Sequence, residues 1–160
     1  MEALYKNFFR KQNNVDPVLT ALKKIPIFEN LLKKELKNIA HLTHEREYKS
    51  NEYVFKKHAP AEGMYVILHG EIEIKDPKSG NIFANLHSGD FFGELALLDE
   101  EPRSASAICN VPSRLIGFFR TDLLTLIYRY PELGNKILLN LSRVLGERLR
   151  ETNKNIIKSK

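Results

Sequence analysis

Apolar positions recur along this 160-residue chain with two different periods. Up to about Leu42 the spacing is helical. Asp16-Pro17 offers an N-cap residue followed by proline in the first turn, and Val18, Leu19, Leu22 and Ile25 follow on one face before Pro26 ends the helix. Residues 27–31 form a short apolar connector, and Leu32, Leu36, Ile39 and Ala40 mark a second amphipathic stripe. From about Glu45 to Phe119 the period shortens. Runs at 53–55, 64–68, 71–75, 82–86, 106–109 and 114–118 are short and rich in β-branched or aromatic residues, and turn residues separate them at close intervals. Residues 71–75 alternate polar and apolar, as a strand with one solvated face does. The helical period then returns: Thr121-Asp122 is expected to cap a helix through Tyr130, and a longer helix is expected from about Glu132 to Lys154 or beyond, with Ile137, Leu138, Leu141, Val144, Leu145 and Leu149 as its stripe. So many short strands in so few residues predict a mainly β fold, an antiparallel sandwich or jelly roll with flanking α-helices.

Charge changes this picture by segment. Residues 1–57 hold 12 Lys/Arg and 7 Asp/Glu, residues 58–132 hold 6 and 11, and residues 133–160 hold 7 and 2, so an acidic β module lies between basic ends. A reader of nucleic acid is expected to carry its basic stripe on the folded core, so specific DNA binding is not expected. The basic ends suit solvated helix faces or an acidic partner. Cys109 is the only cysteine, which rules out an internal disulfide and a cysteine-based metal cluster. The N-terminus lacks the apolar run of a signal peptide, and no run has the length of a membrane span, so a cytoplasmic protein is expected. The five histidines, at 41, 44, 58, 69 and 87, show no ligand spacing, and His41 and His44 are expected together at a helix end. No nucleophile–base pair, phosphate loop or dinucleotide fingerprint is visible, so neither an enzyme nor a metal or cofactor site is expected.

The candidate chemistry lies in residues 89–107. A short helix with a glycine-flanked start is followed by Arg103 on a proline turn and then by strand-like residues. That order gathers backbone amides, the Glu94 carboxylate and a guanidinium. Amides and guanidinium suit an anionic phosphate, and an ionised carboxylate, which only accepts hydrogen bonds, suits a sugar hydroxyl. Within the acidic segment Arg103 reads as a locally isolated cation.

The run Phe92-Gly93-Glu94-Leu95-Ala96-Leu97-Leu98, a spacer, and Pro102-Arg103-Ser104-Ala105-Ser106 closely resembles the phosphate-binding cassette of the cyclic nucleotide-binding domain family, which includes catabolite activator-type regulators and regulatory subunits of protein kinase A. Residues 25–28, 65–74 and 89–94 and the trailing long helix extend the resemblance over nearly the whole chain. It implies a double-stranded β-helix (jelly roll) with N-terminal helices, a cassette helix and a long C-terminal helix. The expected division is an N-terminal extension (1–15), a cyclic nucleotide-binding domain (16–131) and a C-terminal capping or dimerisation helix (132–160). Carried over by position, Glu94 accepts from the ribose 2′-hydroxyl and Arg103 pairs with the cyclic phosphate. The amides of Ala96 and of Ser104 or Ala105, with the Ser104 hydroxyl, donate to phosphate oxygens, and Gly93 lets the backbone approach the sugar. Met64, Val66, Ile82 and Leu95 are the expected apolar walls, Arg148 and Leu149 are expected to reach the base, and Leu138, Leu141 and Leu145 are expected to form a homodimer seam. The implied ligand is cAMP in preference to cGMP, and the implied role is a stand-alone regulatory sensor that signals through its C-terminal helix to an effector protein. The alternative is an interaction module with an empty or repurposed pocket, docking a partner through its basic terminal helices. Residues 57–61, Lys-His-Ala-Pro-Ala, depart from the family pattern and are expected to lie away from the cassette.

Overall fold

The computed structural model describes residues 16–158, so the expected extension over residues 1–15 lies outside the described residues. Helix α1 (Pro17–Lys24) starts as its sequence dictates: Asp16 accepts a hydrogen bond from the Val18 amide at 2.9 Å, and proline occupies the first turn. Ile25 is extended, as a residue before proline tends to be, and Pro26–Phe28 form a 3-10 turn. Helix α2 (Lys33–Ala40) follows, its start closed by Glu35, which accepts from the Leu32 amide at 2.8 Å.

Eight strands follow: β1 (His44–Tyr48), β2 (Tyr53–Phe55), β3 (Gly63–His69), β4 (Glu71–Lys75), β5 (Ile82–His87), β6 (Phe91–Phe92), β7 (Ser106–Cys109) and β8 (Ser113–Phe119). They form two four-stranded antiparallel sheets, ordered β1-β8-β3-β6 and β2-β7-β4-β5. The jelly-roll expectation is met. Two of the eight strands were not expected. One of them, β1 (His-Glu-Arg-Glu-Tyr), buries only its last residue, and the other, β6, is two residues long.

Helix α3 (Arg120–Arg129) begins one residue before the expected Thr121-Asp122 cap. Asp122 sits inside the first turn and accepts from the Phe119 amide at 2.9 Å, so it closes the helix start from within rather than preceding it. Helix α4 (Pro131–Lys158) runs for 28 residues. His41 caps the end of α2, but His44 opens β1, where it stacks on Phe119 at 5.0 Å and lies 3.6 Å from the Asp122 carboxylate, so the expected helix-end pair is divided.

Within the β1-β8-β3-β6 sheet, the central strands β8 and β3 are covered on both faces. Tyr48, Ile67, Leu115 and Phe92 point between the sheets, where they meet Ile72, Ala107 and Cys109. Met64, Val66, Ile116 and Phe118 point the other way, into a second core built with Leu22, Ile27, Phe28, Ile39, Leu123, Leu126, Ile137 and Leu141 from the helices. Each such side chain removed from water contributes roughly 1.5–3 kcal/mol. Asn140 of α4 is buried, and its amide donates to the Ile27 and Glu29 carbonyls at 3.2 and 2.9 Å, which fastens the long helix to the 3-10 turn at 26–28. Beyond Gly146 every described residue of α4 is exposed.

Candidate functional site

Strand β6 pairs Phe91 and Phe92 with Val66 and Tyr65, and the chain then reverses at Gly93, whose φ is +77°. A Cβ at this position would lie 2.7 Å from Arg103 Nη1 and 3.3 Å from the Gly63 carbonyl. Glycine is therefore required by both backbone conformation and space. Residues Glu94–Leu97 form a single 3-10 turn rather than an α-helix. The Ala96 amide donates to the Gly93 carbonyl at 3.2 Å within this turn. The amides of Ser104 and Ala105 have no backbone partner among the described residues.

Arg103 is 7% exposed. Its Nη2 donates to the Gly63 carbonyl at 2.6 Å and its Nη1 to the Gly93 carbonyl at 3.3 Å. Its guanidinium carbon lies 4.0 Å from the centre of the Phe55 ring and 6.0 Å from that of Tyr65. Burial pulls its pKa below the ordinary arginine value, while Tyr65, Glu62 and Glu94 act in the opposite sense. The backbone of Arg103 is held as firmly as its side chain. Its amide donates to the Ala59 carbonyl at 2.9 Å, and its carbonyl accepts from the His58 amide at 2.8 Å. The loop expected to lie away from the cassette thus clamps the cassette arginine. His58 takes a left-handed backbone (φ +69°) to do so, and Ala61 reaches the cavity wall.

Glu94 is 4% exposed. Its Oε1 accepts from Nη1 of Arg148, which projects from α4. Arg148 also donates to the Phe91 carbonyl at 3.4 Å and lies 4.8 Å from the centre of the Phe91 ring. Two buried polar atoms have no partner among the described residues: Glu94 Oε2 and Arg103 Nε. One is an acceptor on a carboxylate and the other a donor on a cation. Such groups are costly to leave unsatisfied, so each calls for a water or a ligand as its partner.

Both residues line a cavity of about 520 Å³, within the usual size of small-molecule sites. Gly93, Glu94, Leu95, Ala96, Arg103, Ser104, Ala105 and Arg148 all line it, so the structure brings together every expected cassette residue. Arg103 is not the isolated cation expected there, because Arg148 enters the same cavity. Of the expected apolar walls Leu95 lines the cavity, and the others are corrected. Met64 and Val66 face the helices, since the β3 side chains on the sandwich side are Tyr65 and Ile67. Ile82 and Leu149 are exposed and lie outside the lining. Phe55, Ile74, Ala84, Leu86 and Phe91 supply the apolar wall instead. Ala84 and Leu86 share the parity of Ile82 along β5 and pair with Ile74 and Ile72 of β4, so the strand was recognisable but not which of its residues reach the cavity. The expected seam residue Leu141 is fully buried in the helical core, whereas Leu138 and Leu145 are only partly buried.

A jelly roll with a glycine-initiated turn, a buried carboxylate and a buried guanidinium around one cavity defines a small-molecule-binding domain. Residues 45–130 match the family model of the cyclic nucleotide-binding domain, and the chain belongs to that family. It is 32% identical over 133 residues to the cyclic AMP receptor protein of Thermus thermophilus, across 81% of this chain and 60% of that protein. It is 33% identical over 106 residues to a CRP-like cAMP-activated global transcriptional regulator of Mycobacterium tuberculosis, across 64% of this chain and 46% of that protein. The chain therefore spans about half the length of these relatives. Among solved structures it is similar to a cyclic nucleotide-binding domain from Methylobacillus flagellatus, with a TM-score of 0.76 and 27% identity over 91% of this chain and 83% of that one. The Thermus thermophilus catabolite activator protein matches with a TM-score of 0.73 and 30% identity, over 82% of this chain and 62% of that one. Among the described residues no helix is long and apolar enough to cross a membrane.

Proposed function

We propose that this protein is a regulatory module that binds a cyclic nucleotide, cAMP in preference to cGMP, and acts through binding rather than catalysis. The observation that carries this reading is that Glu94 and Arg103, each with a buried side-chain atom lacking a partner (Oε2 and Nε), line the same cavity. A cyclic nucleotide offers what each lacks: a ribose hydroxyl donates to the carboxylate, and a phosphodiester oxygen accepts from the guanidinium. The apolar wall of Ile74, Ala84, Leu86 and Phe91 suits a purine face. The preference for cAMP follows the names of the regulators described above. In this reading ligand entry disturbs the Arg148–Glu94 contact and so repositions α4, the half-exposed side of α4 carries a homodimer seam, and an effector protein reads the result in the cytoplasm.

Titration calorimetry of the purified chain with cAMP and cGMP tests the proposal. The expected result is micromolar or tighter cAMP binding that is weaker for cGMP and abolished by Arg103→Ala. No heat with either nucleotide on folded protein would overturn it in favour of a repurposed pocket in an interaction module.

A further inference from the structure

The cassette turn is held at both ends, and from opposite sides. Arg103 and Arg148 hold its start, at Gly93 and Glu94. Arg120, the first residue of α3 and no part of the cavity lining, holds its end. The Arg120 guanidinium donates to the carbonyls of Asp99 and Ala96, the second at 3.5 Å, and pairs with the Glu100 carboxylate at 2.8 Å. Carbonyls at the end of a helical turn are those the turn itself leaves without partners. The backbone amide of Arg120 donates to the Glu62 carbonyl at 2.8 Å, in the loop that leads into β3. A cation in the first turn of α3 opposes the dipole of its own helix. The side chain is therefore stabilised by the cassette, not by the element that carries it.

Resting on the cyclic-nucleotide reading of the cavity, we infer that Arg120 is the positioning residue that couples the cassette to α3, so that displacement of the cassette by ligand moves α3 and, across Tyr130, α4. Two other contacts link cassette and helices. The Arg148–Glu94 pair uses the other oxygen of the carboxylate that the ligand engages, so ligand entry disturbs it just when a signal must pass. Leu97 packs in the helical core, but apolar contact is non-directional and tolerates sliding. Among the described residues, Arg120 alone joins the cassette to α3 through a planar fork of directed donors outside the cavity.

Hydrogen–deuterium exchange of the full chain, with and without cAMP, tests this beside calorimetry. The expected result for Arg120→Ala is about tenfold weaker cAMP binding. Ligand protection is retained at 94–103, and the ligand-induced change at 120–130 is lost; Arg120→Lys restores part of that change. An Arg120→Ala protein whose α3 responds to cAMP as the unsubstituted protein does would overturn the coupling. If the unsubstituted protein shows no cAMP heat, the reading of the cavity fails separately, and the link is judged in the ligand-free state. There Arg120→Ala must speed exchange of the amides at 95–99 while leaving β4 and β5 unchanged, and unaltered exchange at 95–99 overturns it.

Discussion

Gly93 and Arg103 are one device at the scale of single residues. The left-handed turn at Gly93 presents its carbonyl to Arg103, and the absence of a side chain leaves room for the guanidinium. Gly93→Ala is expected to lower stability by about 1–3 kcal/mol through the positive φ and the clash with Nη1, and to weaken cAMP binding at least as strongly. Thermal melts and calorimetry on the same preparation check this, and a variant with unchanged melting and unchanged affinity would refute it. That Glu94 and Arg103 belong to one site was legible in the sequence, because residue type and spacing carry it, and both line the same cavity. The clamp on Arg103 was not. It is made by the main chain of His58 and Ala59, and main-chain hydrogen bonds across more than 40 positions leave no mark in side-chain identity.

Among elements, β3 shows where patterning stops being informative. Met-Tyr-Val-Ile-Leu is apolar throughout because both faces of the strand are covered, by β-sandwich on one side and helices on the other. With no alternation, nothing in the run says which parity faces the cavity, and Met64 and Val66 fell on the wrong side. Strand β1 failed for the opposite reason: four of its five residues are exposed, so it forms through pairing with β8 rather than burial. Helix α4 was legible from its stripe, but not how the stripe is shared. Leu141 is consumed by the body, while Leu138, Leu145 and Leu149 line a less covered side at spacings of seven and four residues. Light scattering is expected to show a dimer that Leu149→Glu converts to monomer without loss of cAMP binding. A monomer at all concentrations, or a dimer indifferent to that substitution, would remove α4 as the seam.

Across the whole molecule, charge and structure overlap only in part: the acidic segment 58–132 carries β3 to β8 and α3, and the basic segments carry α1, α2, β1, β2 and α4. The core between the sheets gives the fold a definite alkaline limit. Burial raises the pKa of Tyr48 from 10 to about 12, and burial also raises those of Tyr65 and Cys109. An unfolded tyrosine loses its proton near pH ~10, whereas folded Tyr48 keeps it until about 12. Its contribution is therefore complete below pH ~10 and is lost as pH rises through 12, at most about 2–3 kcal/mol. Denaturant titrations between pH ~9 and ~12 are expected to show this decline, reduced in Tyr48→Phe. An identical decline in the variant would count against the assignment.

The exposed end of α4 has a mechanical consequence. Residues 147–158 are the exposed last turns of α4, about 18 Å long at ~1.5 Å per residue. On its own a helix of that length is only marginally stable in water, and near its root the contacts to the body run through Arg148, to Glu94 and Phe91. Arg148 also lines the cavity, so the root of this end lies at the site. In the proposed reading, where ligand entry disturbs Arg148, a tilt of about 10° there carries the tip about 3 Å.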